Sequence, residues 1–134
     1  MAPATWTCPQ DGTENPAAER RCLVCRHPNL PRVVVLRAAA TGKEAVLTES
    51  VKFGRAVFAH RFADPDAVFA AELQFEIVRD EARVAWVVRP LPGAVNPTCY
   101  NGTPIGPAGV ELADGGVISV SRSKLRLQVR FKKN

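Results

Sequence analysis

The chain has 134 residues, 46% of them hydrophobic and 23% charged, with a formal net charge of +5 at pH 7. That length suits one ordinary domain with at most a small appendage, because burial becomes efficient only near ~100 residues. No apolar run approaches the ~20 residues of a membrane span, and "MAPATWTCPQ" lacks the basic-then-apolar design of a secretory signal, so the expected setting is cytoplasmic.

The N-terminal stretch carries no net charge. Through residue 30, Arg20, Arg21 and Arg26 cancel Asp11, Glu14 and Glu19, which places the whole surplus in the remainder and favours an anionic partner without naming one. Cys8, Cys22 and Cys25 crowd into this stretch while Cys99 stands alone. In a reducing compartment such clustering suggests metal rather than disulfides. "CLVC" has the spacing that aims two thiolates at one tetrahedral ion, and "CPQD" repeats it with an aspartate in the fourth cysteine's place. Asp11 is therefore the natural fourth ligand, whereas His27, two residues beyond Cys25, would need a cramped local geometry.

Trp6, Cys8, Asp11, Asn15, Cys22 and Cys25 together resemble the Ran-binding-protein-2 type of zinc finger over about twenty residues, within a small finger unit expected at 1–30. The resemblance implies one zinc ion, although a carboxylate in place of a thiolate makes the site harder. Fingers of that family bind ubiquitin or single-stranded RNA. Gly12 and Thr13 stand where the ubiquitin readers carry Thr-Phe, which argues against ubiquitin. Trp6 with Arg20, Arg21 and Arg26 offers the aromatic and basic groups RNA needs, yet Trp6 serves equally as the finger's own core. So few residues cannot fold without their metal.

"HPNLPR" reads as a linker, and the pattern beyond it changes to short β-branched runs separated by turn signals. The last run is the clearest: Leu125, Leu127, Val129 and Phe131 alternate with Lys124, Arg126, Gln128 and Arg130, a half-buried strand with a basic outer face. "DPDAVFAAELQFEIVRDEA" is ambiguous. Its Asp-Pro start, alanines and glutamates favour helix, while Leu73, Phe75 and Ile77 alternate as a core-facing strand would. No acid, base and nucleophile assemble around His27 and His60, and there is no glycine-rich phosphate loop, so the chain reads as non-catalytic.

In order, "KFGR", "ELQFEI", "AWVV", "NPTCYNGTPI", "VELADGGVISV" and "LRLQVRF" resemble the punctuation of a forkhead-associated (FHA) domain across residues 31–134. That family is an all-β sandwich of two sheets, about eleven strands, whose loops at one end bind phosphothreonine peptides. The resemblance decides for strand over residues 73–77. It implies that Arg55, after Gly54, aims its guanidinium at a phosphate, that Asn96 grips the peptide backbone, and that Thr98 and Asn101 complete the same binding surface, Asn101 bracing the loop, with Pro97 replacing a glycine. Leu112, Asp114 and Gly115 match the following turn, where Gly116 replaces aspartate.

The family's Ser-Arg-x-His is the gap, because Ala71, Glu72 and Gln74 fill its serine, arginine and histidine positions. Gln74 can keep the histidine's bracing role, whereas Ala71 lacks the hydroxyl and Glu72 brings a negative charge towards a dianion. Arg61 or His60 could compensate. Without the resemblance, Asn96 and Asn101 would read simply as turn formers. The expected function is a protein interaction module with weak or phosphorylation-independent binding. The alternatives are a true phosphothreonine reader in kinase signalling, or a nucleic-acid binder using the finger and the basic strand.

Overall fold

The computed structural model describes residues 4–132. Strands β1 (Thr5–Thr7) and β2 (Glu14–Pro16) form a small antiparallel hairpin. Beyond it, β3 (Val33–Ala38) and β4 (Glu44–Leu47) pair in register, and β5 (Val51–Phe53) stops where Gly54 turns the chain into a short helix, α1 (Arg55–His60). A Cβ at Gly54 would overlap the Glu72 carbonyl oxygen, so the chain can pass there only as glycine. A 3-10 turn (Ala67–Phe69) precedes β6 (Phe75–Asp80) and β7 (Ala85–Pro90). The remaining strands are β8 (Thr98–Tyr100), β9 (Thr103–Pro104), β10 (Val110–Glu111), β11 (Val117–Val120) and β12 (Arg126–Lys132).

The ten body strands make two antiparallel sheets, ordered β4-β3-β12-β11-β8-β9 and β10-β7-β6-β5. This is the expected all-β sandwich, with α1 inserted after β5. Leu36, Phe75, Ile77, Trp86, Ile118 and Leu127, each at most 1% exposed, fill the space between the sheets. The alternation anticipated for the last strand holds: Leu127 and Val129 are buried, Phe131 is half-buried, and Arg126 and Arg130 face solvent. Among the described residues, no helix is long and apolar enough to cross a membrane.

The ambiguous segment resolves in favour of strand, two residues later than expected. Phe75 and Ile77 are fully buried opposite Phe53 and Val51. Leu73, expected in the core, is 49% exposed. The reason lies in Gln74, whose main-chain N–H donates to the Phe53 carbonyl at 2.8 Å and whose buried side chain takes the inward place beside Phe75. The residue before it is thereby turned outward.

"HPNLPR" is not a free tether. Leu30 is buried in the body's core, and the Pro31 carbonyl accepts hydrogen bonds from Trp86 Nε1 at 2.8 Å and Arg79 Nη1 at 3.0 Å. Arg79 also lies 5.5 Å from the centre of the Trp86 ring, a cation–π contact. Further out, Arg20 makes two parallel hydrogen bonds to the Glu111 carboxylate, at 3.1 and 3.2 Å, and a third to the Arg83 carbonyl at 2.9 Å. Arg21 Nη2 donates to the Glu81 carbonyl at 2.8 Å. The N-terminal unit thus rests on the β6–β7 turn and on β10.

Candidate functional site

At the opposite end of the β6–β7 hairpin, three loops meet around a cavity of about 290 Å3. The turn after β5 supplies Arg55, the segment leading into β6 supplies Val68, Phe69, Ala70, Ala71 and Glu72, and the loop after β7 supplies Gly93, Val95 and Asn96. The loops are tied to one another. The Arg55 amide donates to the Ala71 carbonyl at 2.9 Å, and its Nε donates to the Ala70 carbonyl at 3.1 Å. Fixed through Nε, the guanidinium has no hydrogen bond from either terminal nitrogen to the described residues. Asn96 Nδ2 donates to the Phe69 carbonyl at 3.0 Å, leaving its oxygen open.

Gln74 binds the assembly from below. Its Oε1 accepts from the Ala71 amide at 2.8 Å, and its Nε2 donates to the Asn96 carbonyl at 2.7 Å and to Thr98 Oγ1 at 3.0 Å. Both ends of this fully buried side chain are engaged, Oε1 by the Ala71 wall and Nε2 by the Asn96 wall and by Thr98 at the start of β8, so it ties the two walls together. This is the bracing role anticipated for Gln74.

The remaining anticipated residues separate. Thr98 is 1% exposed and faces Gln74 rather than the cavity. Asn101 is exposed at φ 51°, in the left-handed region that asparagine tolerates, and its Oδ1 accepts from the Val117 amide at 2.9 Å, fastening the β8–β9 turn to β11. It does not line the cavity. His60 and Arg61, considered as stand-ins for the serine of the family pattern, line a different hollow, against Ala45, Leu47, Phe53 and Val57, and do not line this cavity. Gly116 also has a structural reason, since a Cβ there would overlap the Tyr100 hydroxyl, which itself accepts from the Ala113 amide at 2.8 Å. The apolar rim of Val68, Phe69 and Val95 was not anticipated. Val68 and Phe69 belong to "AVFA", within the segment whose composition favours helix, and Val95 lies in the loop after β7.

In the N-terminal unit, the ligand atoms of Cys8, Asp11, Cys22 and Cys25 all lie within 4.8 Å of one another and could hold a metal ion. The Cys8 and Cys25 sulfurs are 3.6 Å apart, and the Cys22 sulfur lies 3.6 and 3.7 Å from the two Asp11 oxygens. The set is oriented from behind: the Thr13 amide donates to Asp11 Oδ1 at 2.9 Å, the Val24 amide donates to the Cys22 sulfur at 3.4 Å, and buried Asn15 accepts from the Leu23 amide at 2.9 Å. His27 is turned away, its Nδ1 3.1 Å from Gln10 Oε1.

Hydrogen bonding from Thr13, its amide above all, holds the Asp11 carboxyl well below the usual carboxylate range. Burial pushes the Cys22 thiol up, but the Cys25 and Val24 amides and the Asn15 side chain outweigh it and bring the thiol to about 7. At Cys25 the His27 amide pulls down, while burial and the neighbouring Cys8, Asp11 and Cys22 together prevail and push the thiol up to about 12.

No protein-family model and no curated protein matches this chain; solved structures do. A domain from work on phosphothreonine-dependent FHA domain interactions is 27% identical with a TM-score of 0.59, covering 76% of this chain and 99% of its own. The FhaA FHA domain, solved in complex with the intracellular domain of Rv3910, is 28% identical with a TM-score of 0.56, over 72% and 99%. The body has the forkhead-associated fold. An FHA domain of an Arabidopsis thaliana hypothetical protein shares that fold at a TM-score of 0.62 and 23% identity, over 78% of this chain and 89% of its own.

Proposed function

We propose that this chain is a non-catalytic protein–protein interaction module of the FHA type, whose phosphothreonine site is weakened and whose N-terminal unit is held by one zinc ion. The observation that carries the reading is the joint placement of Arg55 and Asn96 on one cavity, braced by Gln74, with Ala71 and Glu72 in the same wall. The first pair supplies a charged fork and a main-chain anchor. The second withholds a hydroxyl donor and adds a negative charge where a phosphate of about −2 would approach. Thr98 and Asn101 support the site, Thr98 from beneath as an acceptor for Gln74 and Asn101 by holding the adjoining turn.

Zinc is supported by the shape of the ligand set. Zn–S bonds of about 2.3 Å and a Zn–O bond of about 2.0 Å give tetrahedral edges of roughly 3.5 to 3.8 Å; two of the six edges here, Cys8–Cys25 and Cys22–Asp11, have that length at 3.6 to 3.7 Å, and all four ligand atoms lie within 4.8 Å of one another. Metal analysis of reduced protein purified without chelator should return one zinc per chain, and a metal-free result would remove this part of the proposal.

Fluorescence polarisation against a degenerate phosphothreonine library tests the site. The native chain should bind weakly, and Ala71→Ser with Glu72→Arg should raise phosphate-dependent affinity roughly ten- to a hundredfold, the worth of a charge-assisted hydrogen bond of ~1.5 to 3 kcal/mol. That gain should vanish with Arg55→Ala. Tight, phosphatase-sensitive binding by the native chain would instead favour a true phosphothreonine reader.

A further inference from the structure

The weakened phosphate site has a composition of its own. Among the described residues, seven large hydrophobic side chains stand exposed, and three of them, Val68 at 69%, Phe69 at 46% and Val95 at 87%, line this one cavity. Its charged lining is one cation, Arg55, and one anion, Glu72, which do not pair with each other. A phosphate dianion would therefore meet a wall of no net charge with an apolar lip, an unfavourable place for a strongly hydrated group. A single carboxylate fits better: it carries the one charge that Arg55 can match, and its two oxygens suit the two terminal nitrogens left free. The open oxygen of Asn96 can accept a main-chain N–H beside it.

We propose that this cavity takes an unphosphorylated segment of a partner protein in which an aspartate or glutamate is flanked by large aliphatic or aromatic side chains. The carboxylate lies on the Arg55 fork, and the flanking side chains cover Val68, Phe69 and Val95, which gives the exposed rim the apolar surface it lacks. The proposal rests on the interaction-module reading and gives its site a ligand chemistry.

The test uses the full zinc-loaded chain as bait for two probes, a phage-displayed library of random peptides and a degenerate phosphothreonine peptide library. The expected result is a phage pool enriched in acidic residues next to Leu, Ile, Val or Phe. A synthetic peptide from that pool should lose about tenfold or more in affinity on Arg55→Ala and again on the paired change Val68→Ser with Val95→Ser. Those valines are exposed, so unchanged unfolding curves will show that the fold is intact. Exchanging the peptide's acid for phosphothreonine should gain nothing. Arg55-dependent phosphothreonine peptides that bind more tightly than any phage peptide would overturn this inference and leave the interaction module standing, as would Arg55-dependent phage peptides with no apolar enrichment. Failure of both libraries to yield an Arg55-dependent ligand would overturn the module reading itself.

Discussion

The two parts of this chain reach order by different physics. From Leu30 onward the body buries a continuous cluster of apolar side chains between two sheets. Among residues 4–29 only Cys8, Asn15 and Cys22 are buried, two thiols and an amide. Trp6, the one large apolar side chain in the hairpin, is half-buried and spends its indole N–H on the Glu19 carbonyl at 2.8 Å. Hydrophobic burial scales with apolar area removed from water, and the N-terminal unit removes too little to offset the backbone entropy of its residues. The proposed zinc would supply what the unit lacks in core, whereas the body has a core of its own.

Removing the proposed zinc tests the comparison most forcefully. With chelator, residues 4–29 should lose their hairpin and the cross-links that order it, while the body stays folded on its own core. Amide hydrogen exchange will read both parts at once: fast exchange confined to the N-terminal unit is expected, and a single joint loss of protection would show that the parts are one cooperative unit. In the same unit, Asp11→Cys should tighten the metal by replacing a hard ligand with a soft one, measurable as slower transfer of zinc to a chromogenic chelator.

Phe75→Ala addresses the body. Phe75 is fully buried, stacks on Phe53 at 5.1 Å between centroids and packs against Phe58 at 6.0 Å. Truncation should cost ~3 to 5 kcal/mol in denaturant unfolding and leave the metal stoichiometry unchanged. A loss below about 1 kcal/mol would mean that the core between the sheets is not packed as described.

The two regions also differed in how far they could be read in advance. The convergence of the cluster was legible because metal geometry constrains spacing directly: Cys8, Asp11, Cys22 and Cys25 come together, and His27 is turned away. The sandwich was legible through alternation in β12 and through the order of its turns. Leu73 was misplaced because alternation presumes that every inward position is apolar, and here polar Gln74 claims the interior through hydrogen bonds that no periodicity encodes. Helix α1 and the apolar rim escaped for a related reason. "RAVFAH" and "AVFA" carry apolar residues at spacings that fit several local structures, and tertiary contacts chose among them.

Gln74 sharpens the comparison at the site. Gln74→Ala leaves the Ala71 amide without its acceptor and the Asn96 carbonyl without its side-chain donor, so stability should fall by about 1 to 3 kcal/mol. The larger consequence should be functional, because the two walls of the cavity lose their common brace. Arg55-dependent peptide binding should weaken by more than the same loss of stability causes when introduced in the distant core. Equal weakening by both routes would reduce Gln74 to an ordinary buried residue.

The smallest effect is expected where the two parts touch. Arg20 meets Glu111 as a bidentate pair, but the two side chains are 56% and 38% exposed, and ion pairs so open to water contribute only ~0 to 1 kcal/mol. Arg20→Ala should therefore change the body's unfolding midpoint little. Orientation is another matter, because Arg20 with Arg83 and Glu111, and Arg21 with Glu81, supply the described polar contacts that fix the N-terminal unit against the β6–β7 turn. With Arg20 and Arg21 both changed to alanine, and the metal retained, NMR relaxation should show the N-terminal amides tumbling faster than those of β6 and β7, and about 1 M salt should reproduce part of the effect in the native chain by screening. If the two parts still tumble as one body, the Leu30–Pro31 anchorage alone holds them, and the arginine contacts are incidental to the arrangement.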